Sequence, residues 1–311
     1  MLYFINRTAF RIILFLFFFS VFAANTKAQQ QPDPDFDVTV KQPAYTKKKP
    51  KVLFDEAHNN FHTTEGRYKP FVQLITNDGY QVTPNKEEFT ANTLKGYDIL
   101  IISNALGASA MSAAEAGNPA FTDEECDAVR DWVKAGGSLL LIADHAPMGG
   151  AAEILSKRFG VDMSKVYTLD TANADLKDGG SDGWIIYSRE NGLLADHPIT
   201  QGRNASEKIN RVVAFTGQSL KGGEGSTAFL KLADTAGDYD TVTKKEVSAK
   251  GRSQGIALKF GKGRVVILGE AAMLTAQLAG NDKRKFGMNR SGNDNRQFAL
   301  NIMHWLSKLL K

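Results

Sequence analysis

Apolar runs in this 311-residue chain end abruptly in acids, histidines and amides. VLF (52–54) leads into Asp55, Glu56, His58 and Asn59; LLLIA (139–143) leads into Asp144 and His145; RVVILG (264–269) leads into Glu270; and DILIIS (98–103) leads into Asn104. A carboxylate at the end of a buried strand is costly unless it is paired, hydrogen-bonded or bound to a metal. Two chemistries fit. Asp55, His58, Asp144, His145 and Glu270 are the oxygen and nitrogen ligands that a divalent Zn or Mn accepts, with a metal-bound water as nucleophile, or they could run acid/base hydrolysis without one. The same residues with Glu56, Asn59 and Asn104 also suit a pocket for a small polar ligand. Against both stands a plain structural duty, since Asp and Asn at strand ends cap helices and satisfy loop amides. No HExxH or paired CxxC spacing is present, so the signal is positional.

Other chemistry-bearing residues have simpler readings. His62 falls in a loop with Thr63 and Thr64 and is expected to face solvent. His197 before Pro198 marks a turn, and His304 beside Trp305 belongs to the core or edge of the last helix. Cys126, the single cysteine, lies on the apolar stripe of a helix and reads as a small core hydrophobe; no internal disulfide can form. GGEG (222–225) and KFGKGR (259–264) lack a phosphate-loop context and read as hairpin turns. The basic run KKKPK (47–51) reads as a solvated linker.

The elements that must position these residues alternate strand and helix. Strands are expected at 51–55, 80–83, 97–103, 138–145 and 263–270, with weaker ones at 184–188, 211–215 and 228–233. Helices are expected from Tyr68 to Gly79, over 90–95, after Thr122, over 149–158 and over 294–309. Thr122 with Glu125 is a capping-box signature, and Gly136 and Gly137 stop that helix. Parallel strands need crossovers, and crossovers cover a sheet. The pattern therefore predicts a flavodoxin-like, doubly wound α/β fold with a mostly parallel sheet and helices on both faces. Ligands of such sheets bind beyond the carboxyl ends of the strands, where the residues above fall.

The N-terminus sets the expected compartment. Two arginines precede the apolar run IILFLFFFSVFAA (12–24), too short to span a bilayer and of the length of a signal-peptide core. Residues 1–28 are expected to be a signal peptide cut after Ala28, with Ala23 or Ala24 as alternative cut sites and an uncleaved anchor as the rival reading. The mature protein is then exported, periplasmic or extracellular, with no membrane span. Residues 29–50 are expected to be a flexible linker, and 51–311 a single α/β domain with a less regular insertion at about 161–250. Removing the leader takes 38 basic residues to 35 against 34 acids, a net charge of about +1, which argues against nucleic acid as partner.

KVLFDEAHNN, GYQV, LKGYDILIIS, FTDEECDAVRDWVKAGGSLLLIADH and GKGRVVILGEAAMLTAQ together resemble an uncharacterised bacterial family of the class I glutamine amidotransferase-like superfamily. They are similar to the domains of gliding-motility auxiliary-transport proteins and of an intraflagellar-transport subunit. The resemblance covers roughly 50–160 and, less specifically, 255–306. It implies the same flavodoxin-like sandwich. It does not imply glutaminase activity, because a cysteine nucleophile on a strand-to-helix elbow is missing; Ser103, Ser109 or Ser112 would have to substitute. The expected function is an exported amidotransferase-like domain that binds a sugar, peptide or other polar envelope component at its strand ends. The alternative is a metal-dependent or acid/base hydrolase using the same cluster.

Overall fold

A computed structural model of the protein describes residues 30–311; the expected leader and its cut at Ala28 lie outside the described residues. Nine strands form the main sheet: β1 (Lys51–Asp55), β2 (Gln81–Asn85), β3 (Ile99–Ser103), β4 (Ser138–Ile142), β5 (Val161–Met163), β6 (Leu220–Gly222), β7 (Ser226–Lys231), β8 (Ser253–Phe260) and β9 (Gly263–Leu268). Their order is β2-β1-β3-β4-β9-β8-β6-β5, with β7 also pairing with β8. From β2 to β9 every pairing is parallel, and from β9 onward every pairing is antiparallel.

The sheet is covered on both faces, as the continuous apolar runs require. Val52, Phe54, Ile99, Ile101, Leu140, Ile142, Val266 and Leu268 face α1 (Lys69–Asn77) and the late helix Asn295–Leu306. The alternate residues Leu53, Leu100, Ile102, Leu139, Leu141, Val265 and Ile267 face α2 (Asp123–Ala135) and α3 (Met148–Lys157). Phe71, Leu74 and Ile75 of α1 are fully buried. Each contributes about 1.5–3 kcal/mol of transfer free energy. Two further helices complete the numbering, α4 (Pro198–Gln201) and α5 (Asn295–Leu306). Among the described residues no helix is long and apolar enough to cross a membrane.

Three expectations are corrected. The segment ahead of β1 is strapped to the body rather than free: Gln31 and Pro32 pair with Leu278 and Gln277, Asn77 Nδ2 donates to the Val38 carbonyl at 2.9 Å, and Asp78 Oδ1 accepts from the Ala44 amide at 2.8 Å. Its backbone groups find partners on the domain, which a composition rich in Pro, Asp and Lys does not reveal. Residues 90–95 form turns, not a helix, because Thr90 and Thr93 bond each other's backbone amides through their hydroxyls. The stretch 161–250 is part of the main sheet, supplying β5, β6 and β7, besides a small sheet of Tyr167–Leu169, Gly237–Tyr239 and Glu246–Ser248.

Candidate functional site

The winding direction reverses between β1 and β3, the usual place for a ligand crevice. Here that position is sealed. The loops after the two strands bond each other, Phe61 N to Asn104 O at 2.8 Å and Leu106 N to His58 O at 3.0 Å. His58 plugs the gap between Phe89 and Phe121, ring centroids 4.6 and 4.7 Å away.

His58 is held from both sides. Nδ1 lies 2.9 Å from both carboxylate oxygens of Asp55, and Nε2 lies 2.8 Å from Glu125 Oε1. Burial pushes the imidazole down, but Asp55 and then Glu125 outweigh it and hold the ring above its usual range. Asp55 also accepts from Asn60 and from the Ala57 amide. Glu125 completes the capping box at the start of α2 and accepts the Phe89 amide as well. Burial opposes its ionisation, but the Thr122 and Phe89 amides and His58 keep its carboxyl below the usual range. Glu56 is likewise committed, to the amide and hydroxyl of Thr64 at 2.7 Å each and to Lys86. Asn59, at φ 49°, reaches the Leu106 carbonyl at 3.4 Å. These residues build a closed polar network that ties β1, α2 and the neighbouring loops together.

A second polar cluster, part-exposed at Asp144, His145 and Tyr167, lies one strand further on. Asn104 follows β3 at φ 51°, a conformation that Asn tolerates better than most residues, and its Oδ1 accepts the Asp144 amide at 2.9 Å. Its Nδ2 is buried and has no partner. Asp144, part-exposed, follows β4 with its Oδ1 on the His145 amide at 3.0 Å. Burial raises its carboxyl above the usual range, against the opposing pull of the His145 ring, the His145 amide and the Asn104 side chain. His145 stacks on Tyr167 at 4.2 Å and 17°. Gln218 fixes the end of β4, donating to the Ala143 and Asp144 carbonyls at 2.9 Å each. A Cβ on Gly149 would meet that Gln218 amide at 2.4 Å, so the second residue of α3 is one without a side chain. Glu270, fully buried behind this wall, accepts the Ala272 and Met273 amides at 2.6 and 2.7 Å. Burial first, and the charge of Asp144 second, push it well above the carboxylate range.

The metal set proposed from sequence does not assemble. Both nitrogens of His58 are taken by carboxylates, Glu270 is spent on backbone amides, and Asp55 and Asp144 belong to different networks. Among the described residues no group of three or more His, Cys, Asp or Glu could hold a metal ion.

Contrary to the expectation of a solvent-facing loop residue, His62 is buried, stacked on Tyr68 at 4.7 Å, with Nδ1 3.0 Å from Ser103 Oγ. Burial and the nearby Arg67 depress it to about 3. Ser103 and His62 thus have a nucleophile–base distance but not its chemistry, because the serine is fully buried and so weak a base holds its proton poorly. Ser109 and Ser112 lie exposed. Cys126 is buried with its thiol pushed up to about 12 by burial, as a core hydrophobe should be. His304 is also buried, bonded to Asp78 Oδ2 at 2.7 Å. His197 caps α4, accepting the Ile199 amide at 3.2 Å. Tyr167 and Gln218 carried no signal: an isolated Tyr and an isolated Gln far along the chain from β4 give no spacing to read.

No family model matches the sequence, and none of the curated proteins compared with it does. Among solved structures the chain is similar to the N-terminal domain of mmIFT52, with TM-score 0.58 and 14% identity over 82% of this chain and 97% of that one. It is also similar to a ThuA-like protein from Parabacteroides merdae, with TM-score 0.45 and 11% identity, covering 85% of this chain and 91% of that one. A GMP synthase-like protein from Thermoplasma acidophilum matches with TM-score 0.42 and 11% identity, covering 85% and 97%. At these identities the likeness to the mmIFT52 domain is one of fold, a doubly wound α/β sandwich, and the two lower scores add nothing about activity.

Proposed function

We propose that this is an exported, glutamine amidotransferase-like domain without a cysteine nucleophile. It binds a small polar ligand, a sugar or peptide of the cell envelope, at the wall formed by Asn104, Asp144, His145 and Tyr167. The carrying observation is the buried Nδ2 of Asn104, which lacks a partner at hydrogen-bond geometry while the side chain lies near enough to the Asp144 carboxyl to pull it down. A buried donor without a partner costs about 1–3 kcal/mol, which a ligand carbonyl or hydroxyl oxygen recovers when the part-exposed Asp144 side chain shifts aside to admit it. Asp144 donates to the ligand when protonated and accepts when ionised. The stacked His145–Tyr167 pair supplies the apolar face that a few fixed polar groups need beside them in a small-molecule site.

Acid/base hydrolysis at the same wall is supported by one specific feature, the raised Asp144 carboxyl next to the buried Glu270. The two readings separate experimentally. Glycan and peptide binding screens on wild type and Asp144→Asn test binding, and product formation lost in that variant with ligand still bound marks hydrolysis. Elemental mass spectrometry of protein purified without a metal-affinity tag is expected to find no stoichiometric Zn or Mn; near-stoichiometric metal lost in Asp144→Asn would restore the metal reading. Export is tested by N-terminal sequencing, expected to begin at Gln29; a start at Met1 refutes it.

A further inference from the structure

The two ends of the parallel strands carry opposite chemistry. Acids gather at the carboxyl ends, whereas the amino ends are ringed by exposed lysines. Lys51 opens β1, Lys134 lies in the last turn of α2 just before β4, and Lys262 sits in the hairpin that opens β9. Lys308 follows α5 and donates to the Gly136 carbonyl at 2.7 Å.

Contacts join these residues into one patch. Lys262 N bonds the Lys134 carbonyl at 3.0 Å, and a Cβ on Gly136 would lie 3.8 Å from both Lys262 Cβ and Lys308 Nζ. Lys48 and Lys308 line a common cavity of about 140 Å³ together with Asp98, whose Oδ2 is held by the Lys51 amide. Among the described residues the lysines that pair with carboxylates are Lys69, Lys86, Lys157, Lys165 and Lys250, none of them here. Two exposed acids, Asp98 in that cavity and Asp131 beside Lys134, offset part of this charge, but Lys48, Lys51, Lys134, Lys262 and Lys308 outnumber them and leave the patch net positive. Three partly buried aromatic residues, Tyr97, Trp132 and Phe260, stand within two positions of Asp98, Lys134 and Lys262 and are anchored on the core beneath.

We infer that this amino-end rim docks on an anionic lipid surface. Dispersed ammonium groups on flexible stems, with the Arg264 fork at this end spent on the Trp305 and Leu310 carbonyls and only a small cavity, fit a diffuse field of phosphates better than one fixed anion. Half-buried Tyr and Trp suit the headgroup layer, where one end of the side chain is apolar and the other wet. Docked this way, the protein turns the Asn104–Asp144 wall away from the bilayer. The inference stands whether or not that wall binds a ligand.

The test is sedimentation of the full chain with vesicles of phosphatidylcholine alone and of phosphatidylcholine with phosphatidylglycerol. Wild type is compared with Lys134→Glu/Lys262→Glu/Lys308→Glu, and with a control away from the rim, Lys231→Glu/Lys244→Glu/Lys245→Glu, beside the start of β8 and in the hairpin of the small sheet. Both variants keep the apolar N-terminal run, so its own insertion cancels. Wild type and control are expected to bind the anionic vesicles in a salt-sensitive way, and the rim variant about a hundred-fold more weakly. Lys134→Gln/Lys262→Gln/Lys308→Gln, with an unchanged thermal midpoint, is expected to lose part of that affinity and separates charge from folding. No salt-sensitive binding by wild type, or equal losses in rim and control variants, overturns the inference. Capture of all the bound protein by soluble polyphosphate at matched phosphate also overturns it, reassigning the patch to free phosphate polymers.

Discussion

The Asp144 amide donates to Asn104 Oδ1 at 2.9 Å, so one hydrogen bond ties the tips of β3 and β4 together and leaves the other end of the Asn104 amide buried and unpaired. Two adjacent strands thereby present a donor and a carboxyl side by side, next to an aromatic pair. That juxtaposition is the core of the proposed site, and it lies one strand away from the sealed switch point.

Replacing Asp144 by Asn is expected to stabilise the protein near neutral pH. Its folded-state carboxyl titrates above its ordinary 3.8, so the folded state binds a proton that the unfolded state has already lost, and ionising it there costs stability. The variant should melt about 2–4 °C higher at pH 7, the shift that ~1 kcal/mol makes in a domain of this size, with the gain gone near pH 4. Calorimetry at the two pH values checks it; a lower melting temperature at both contradicts it.

His58→Ala removes the cation between two buried carboxylates and should cost about 3–5 kcal/mol by denaturant titration. The pH dependence follows from two opposite shifts. His58 is raised above 6.5, so its contribution is complete below 6.5 and lost as pH rises through the raised value. Glu125 is lowered from 4.5, so its contribution is present above 4.5 and lost as pH falls. The cost of the substitution should peak between these limits; a loss under 1 kcal/mol there would show that the clamp is dispensable.

His62 moves the other way. Depressed to about 3, it stays neutral in the fold, whereas the unfolded chain takes up its proton near 6.5. Its contribution is therefore complete above 6.5 and declines steadily below that. His62→Phe should flatten the acid side of the stability profile, and nitrogen chemical shifts should report a neutral ring at pH 5. A charged ring at that pH refutes the assignment.

Much of this framework was legible because burial on both faces writes itself into the chain. β1, β3, β4 and β9 are unbroken apolar runs, and Thr122 with Glu125 announced α2. β8 was missed because SQGIALKF mixes polar and small residues, and β5 and β6, at three residues each, are too short to show a period. The strand-end residues were found as a set, yet the sequence could not divide them. Whether His58 faces a crevice or Glu125 depends on a contact 67 residues away, and whether His62 is wet or buried depends on where Tyr68 and Ser103 stack and close over it.

Asp78→Ala should show that the N-terminal arm belongs to the domain. Its carboxylate accepts both the Ala44 amide and His304 Nε2 in a buried setting. Losing it should cost about 3–5 kcal/mol and expose residues 31–45 to proteolysis. Unchanged cleavage of the arm would count against the strap.

The central claim is tested most directly at the side-chain amide of Asn104. Its nitrogen and proton resonances are followed while chitooligosaccharides and short peptides are titrated into wild type and into Asp144→Lys, which should block the wall. Saturable shifts of that amide are predicted with at least one of the two series, absent in the blocked variant. Saturable binding that leaves the Asn104 amide unmoved, or no binding by either series to the folded protein, would contradict it.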